Sequence, residues 1–262
     1  MLARIPGLLP LLALVLLTVG CGSSTPAGNA LTLSSSEAGN GGEGNYGGTE
    51  VTEAAITDDV TYLTQLGLMR GHLLVGVELY RTGEKEAATT HMKHPEDELY
   101  AALLPALMAR GANRLDTELS TLARAVESGR PVEVVNDAYL QLRVAISSAE
   151  QAAAVSNREL GDVITELVRT AADEYYIARA ENGAVANEHE YQDSYGFVLV
   201  AQQILGQLES RGANAESVLS IAGILDDIEV TWPTLVPPSR LDTVPAAVYS
   251  AAARIEIASL RL

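Results

Sequence analysis

From Ala54 to the C-terminus the chain repeats one local pattern. Long runs rich in Ala, Leu, Glu, Gln and Arg carry apolar residues at three- and four-residue spacing, and short Gly-, Asn- or Pro-containing breaks close each run. That spacing lines one face of a helix, whereas a half-buried strand alternates. No stretch alternates convincingly, so the chain is expected to be all-α. Because short connections join antiparallel neighbours, the expected architecture is an up-down bundle of about seven to nine helices.

The punctuation predicts where the helices fall. Thr57 and Asp58 can cap a first long helix reaching about Arg81, closed by Thr82 and Gly83. A short helix over Glu84–His91 stops before Pro95. Further helices fit Glu96–Arg110, with a kink or break expected at Pro105, then Leu115–Ser128, Val132–Val155, Arg158–Glu181, Glu188–Arg211, Ala215–Val230 and Val244–Leu260. Trp232–Val236, followed by Pro237 and Pro238, reads as a rigid turn.

The N-terminus has a different composition. Arg4 precedes an apolar segment, Leu8–Leu17, that is too short to span a bilayer and reads as an export signal. Leu17, Thr18, Val19, Gly20 and Cys21 follow, a stretch that resembles the processing site of bacterial lipoproteins. Cys21 is the one cysteine of the chain, which excludes an intrachain disulfide. Acyl chains on Cys21 would anchor the protein to a membrane. From Gly22 to about Glu53 the residues are mostly Gly, Ser, Asn, Thr and Glu, too polar to bury a core. A flexible linker of that length spans roughly 30 Å. The expected organisation is a lipoprotein signal peptide at 1–20, the lipidated cysteine and a disordered tether at 21–53, and one helical bundle at 54–262.

Charge narrows the partners. The formal net charge is −17, which repels nucleic acid. An acidic surface is compatible with cation binding, but it also serves solubility.

Three of the four histidines, His72, His91 and His94, lie within Met69–Tyr100 beside Glu78, Glu96, Asp97 and Glu98. His72 shares a stripe with Leu68, Val75 and Leu79, so it points inward and needs a partner there. Glu174 shares one with Leu167, Ala171 and Ala178; Glu190 and Asp193 share one with Phe197, Val200 and Ile204. Buried acids need pairing or coordination. Imidazole and carboxylate together suit iron, zinc, manganese or copper. His91 and His94 also fit a polar surface turn. Tyr175, Tyr176, Tyr191 and Tyr195 could offer phenolates to ferric iron, or serve as core-edge residues. His189 opens its helix and is expected to be exposed. No Gly-x-Ser-x-Gly elbow, phosphate-binding loop or His-Glu-x-x-His occurs, so no enzymatic activity is expected.

The stretches RGHLLVGVELY (Arg70–Tyr80), HMKHPEDELY (His91–Tyr100) and NEHEYQDSYGFVLVA (Asn187–Ala201) resemble a group of helical bacterial envelope lipoproteins. The last stretch is also similar to the extracytoplasmic helical domain of iron permeases. More loosely, the chain resembles imelysin-like iron-uptake proteins, although their Gly-x-His-x-x-Glu motif is absent: Gly71 directly precedes His72, and position 75 is Val. The resemblance implies a periplasmic-side envelope module that handles metal. Gly22 after the cysteine favours the outer membrane. Carried over residue by residue, the resemblance points to His72, His94, Glu98, Glu190 and Asp193 as ligands, with Glu78 and His91 as additions. The expected cargo is iron or another transition metal ion, and the expected partner is an iron permease or another envelope protein. The alternative is a structural or protein-interaction lipoprotein whose buried polar groups pair among themselves.

Overall fold

The computed structural model describes residues 49–94, 99–112 and 114–262. The expected signal peptide, Cys21, most of the linker and Glu98 lie outside the described residues. Ten helices occur among the described residues: α1 Thr49–Thr57, α2 Asp59–Thr82, α3 Lys85–His94, α4 Tyr100–Ala109, α5 Leu115–Glu127, α6 Val132–Glu150, α7 Asn157–Ala178, α8 Glu188–Ser210, α9 Ala215–Glu229 and α10 Pro245–Ser259. No strand occurs among them; two isolated bridges, Arg179 to Val185 and Ala184 to Arg240, pin the loop between α7 and α8. None of the described helices is long and apolar enough to cross a membrane.

Local chemistry sets the helix ends. Asp58 accepts a hydrogen bond from the Thr61 amide at 2.6 Å and starts α2; Gly83, at φ 97°, ends it in the left-handed region open to glycine. Ser156 and Glu159 form a reciprocal capping box on α7, and Pro245 occupies the first turn of α10. Helix α4 continues unbroken through Pro105. A separate helix, α1, begins at Thr49, inside the stretch expected to be linker. Ala55 of α1 is fully buried, and Arg110 donates hydrogen bonds to the Ala55 and Ile56 carbonyls, so packing orders this segment despite its polar flanks.

Helix α2 is the hub. Between Tyr62 and Tyr80 nearly every side chain is buried, with Arg70, Leu74 and Glu78 the ones that reach towards solvent. A helix buried on most faces must be surrounded. Its neighbours are α3, α7 and α8, with α1, α4 and α6 also against it. Burying a side chain such as Leu66 contributes about 2 kcal/mol relative to leaving it in water. Helices α7 to α10 form the second half: α7 packs on α8 and α10, and α9 bridges α8 and α10. Gly161 permits close packing of α7 on α10, because a Cβ there would sit 2.6 Å from the Ser259 hydroxyl. Tyr175 and Tyr195 pack on Trp232, which fixes the turn after α9.

Candidate metal centre

Two glycines of α2 decide which helices meet there. A Cβ on Gly71 would lie 2.5 Å from Phe197 Cδ1, and one on Gly196 would lie 2.6 Å from the Gly71 carbonyl oxygen, so α2 and α8 cross backbone to backbone. One turn further along, Gly76 is covered by Met92 and by the Cβ of His91, which seats α3. His72 follows Gly71 directly, and Asp193 precedes Gly196 by less than one helical turn. The crossings therefore deliver His72, His91 and Asp193 to one point.

The Asp193 carboxylate is the centre of that point. Its Oδ1 faces His72 Nδ1 at 2.6 Å and His91 Nδ1 at 3.0 Å, while its Oδ2 faces His189 Nδ1 at 3.1 Å. His189 and Asp193 stand four apart on α8 and so share a face. The rings of His91 and His189 stack at 4.3 Å with 18° between their planes, and the edge of Phe197 packs on His72. His91 Nε2 meets Gln192 Oε1 at 2.8 Å. At the start of α8, Asn187 accepts from the His189 amide at 3.0 Å and donates to Glu190 Oε1 at 3.3 Å, fixing the first turn. Ser194 ties α8 to α7 by donating to the Ala171 carbonyl at 2.6 Å.

The electrostatics follow from burial opposed by charge. Burial alone would raise the Asp193 carboxyl, but the His72 and His91 imidazoles beside it hold it well below the usual carboxylate range. Burial would lower the His91 imidazole; the Asp193 charge, its hydrogen bonds to Asp193 and Gln192, and Glu190 outweigh that and raise it. His91 thus stands between two oxygen acceptors, whereas a neutral imidazole carries one N–H. A second cation, either a proton or a metal ion, settles both contacts.

The donor set fits a metal ion. Two ligands each about 2.1 Å from one ion, at angles of 90–109°, stand roughly 3.0–3.4 Å apart. The separations around Asp193 fall at or just under that range, so tenths of an ångström of expansion would admit an ion. Two overlapping sets bring candidate ligand atoms within 4.8 Å of one another: His72, His91 and Asp193, all buried, and His189, Glu190 and Asp193. Gln192 on the far nitrogen of His91 holds the ring in place, the role that outer partners play for metal-bound histidines.

Of the residues expected from sequence, the fold gathers His72, His91, Glu190 and Asp193. Glu78 is a correction: it lies on the surface, ion-paired with Arg81 at 3.1 Å. Six residues beyond His72 amounts to about 240° around the helix, so it faces away. His94 closes α3, and its side chain, like Glu98, lies outside the described residues. His189, expected to be exposed, is a member of the cluster; the signal for it was its spacing of four from Asp193. The phenols are engaged elsewhere: Tyr175 donates to the Thr243 carbonyl and Tyr191 to the Thr234 carbonyl, and Tyr176 is exposed.

Comparison with known families adds a second line. No curated protein and no solved structure matches the chain. Residues 148–261, from the end of α6 through α10, match the family described as the iron permease-associated 4-helix bundle domain. The match contains His189, Glu190 and Asp193 but not His72 or His91, which α2 and α3 contribute from outside it. Over its C-terminal bundle, then, this all-helical chain is similar to the helical domain associated with iron permeases.

Proposed function

We propose that this protein captures a transition-metal ion, iron, as an accessory to iron uptake in a bacterial envelope, held there by lipid on Cys21. The observation that carries the reading is that one buried carboxylate oxygen, Asp193 Oδ1, faces imidazole nitrogens from two other helices. Two imidazoles and one carboxylate are the donor set of non-haem Fe(II) sites, and this supports iron over harder cations such as Mg(II). Keeping His72 and His91 both protonated would crowd two positive charges in a buried space. One ion with neutral imidazoles avoids that repulsion. The similarity of residues 148–261 to the iron permease-associated bundle supports the same cargo and suggests the permease as recipient. The protein is read as a carrier, without a catalytic step of its own.

Elemental analysis of the purified chain, loaded with Fe(II) under anaerobic conditions and then dialysed, tests this. One iron per chain is expected, lost in His72→Ala and in Asp193→Asn. If no iron is retained and the melting temperature is unmoved by Fe(II) or Zn(II), the cluster is a self-paired polar network and the protein a structural one.

A further inference from the structure

The two ligand sets around Asp193 differ in one respect that the capture reading leaves open: access. The side chains of His72, His91 and Asp193 are at most 2 % exposed, against 19 % for His189. Among the described residues of the cluster, His189 has the most exposed side chain, although its Nε2 is buried, and it stands in the first turn of α8 behind exposed Glu188. Among the described residues, the Phe197 ring packs on His72 and Gln192 covers the far nitrogen of His91. Of the two sets, the one containing His189 therefore lies nearer to solvent among the described residues.

Asp193 belongs to both sets through different atoms. Oδ2 faces His189, and Oδ1 faces His72 and His91. The stacked rings of His91 and His189 put the two positions about one ring spacing apart, 4.3 Å between centroids. One divalent ion balances the Asp193 and Glu190 carboxylates, whereas two would leave excess positive charge in a buried site.

Resting on that capture reading, we propose that His189, Glu190 and Asp193 Oδ2 form an outer docking site. From there a single ion crosses the Asp193 carboxylate to a final site at Oδ1, His72 and His91. No bond other than coordination changes. The ion exchanges Oδ2 for Oδ1, sheds His189 and Glu190, and gains the two inner imidazoles, whose displaced protons leave to solvent.

A ligand used on the way but not at the destination changes uptake and release by the same factor and leaves their ratio alone. Stopped-flow uptake of Fe(II), followed by release to a chelator, reads both rates in the full chain. His189→Ala is expected to slow each by at least ~10-fold while the affinity stays within about threefold; His91→Ala is expected to keep fast uptake but release the ion roughly 100-fold faster. His189→Gln serves as a second variant, because its amide keeps the volume of the ring. The pathway is overturned if His189→Ala and His189→Gln both take up iron at the wild-type rate, if either weakens binding as much as His72→Ala, or if the wild type holds two ions. Absence of any bound iron in the wild type would instead remove the capture reading beneath it.

Discussion

Gly71 and Gly196 touch through their backbones: a Cβ on Gly196 would stand 2.6 Å from the Gly71 carbonyl oxygen. That contact places His72 beside Asp193. An alanine at either position forces α2 and α8 apart, so Gly71→Ala and Gly196→Ala are each expected to cost about 1–3 kcal/mol and to weaken iron binding. Gly206, on the same helix α8 with open space around it, is the control. Gly206→Ala is expected to stabilise by about 0.5–1 kcal/mol and leave binding unchanged. Urea denaturation and iron titration of the three variants would check this.

Asp193→Asn keeps the shape and removes the charge that three imidazoles face. Breaking a buried pair of this kind destabilises by on the order of 3 kcal/mol, and iron should no longer be retained. Glu78→Ala, which disrupts only an exposed pair with Arg81, is expected to change stability by less than about 0.5 kcal/mol and iron content not at all. Equal losses in both variants would count against Asp193 as the centre.

The metal-free protein should have a bounded pH range of stability. Because the His91 imidazole is raised in the fold, its contribution is complete below the unfolded value near 6.5 and fades as pH rises through the folded value. Because the Asp193 carboxyl is lowered, its contribution is present above about 3.9 and is lost as pH falls through its folded value. Melting temperatures without metal are therefore expected to decline on the alkaline side, and iron, taking the proton's place, to abolish that decline. Uptake should release protons, measurable as a dependence of binding enthalpy on the buffer used.

Tyr62 tests packing independently of the site. Burial, opposed by the Arg110 guanidinium 4.3 Å above its ring, pushes the phenol up to about 12. Its hydroxyl donates to the Ala149 carbonyl at 3.1 Å. Tyr62→Phe should cost about 1 kcal/mol and leave iron binding intact. In alkaline absorbance titration it should remove one phenol from the part of the tyrosine signal that titrates above the ordinary range.

Much of the architecture was legible locally. Asp58, Gly83, Ser156 with Glu159, and Asn187 each mark a helix end, because capping and positive φ are decided within a few residues. The inward direction of His72 followed from its spacing to Leu68, Val75 and Leu79, all of them buried. Glu78 entered through the resemblance and not through helical spacing, which places it away from His72. Helix α2 is enclosed by several neighbours, yet Glu78 still falls on its narrow outer edge.

What the amino-acid sequence by itself determined is the succession of helices, their ends, and the burial of acids and an imidazole on otherwise apolar stripes. Each of these rests on contacts between residues a few positions apart. Which imidazoles would face Asp193 was decided only in three dimensions. His72, His91 and His189 reach it from α2, α3 and α8, and their meeting depends on the crossings at Gly71, Gly76 and Gly196. The first turn of α8 would ordinarily be solvated; here the close crossing at Gly196 draws it over the cluster, which is why His189 became a member and Glu78 did not.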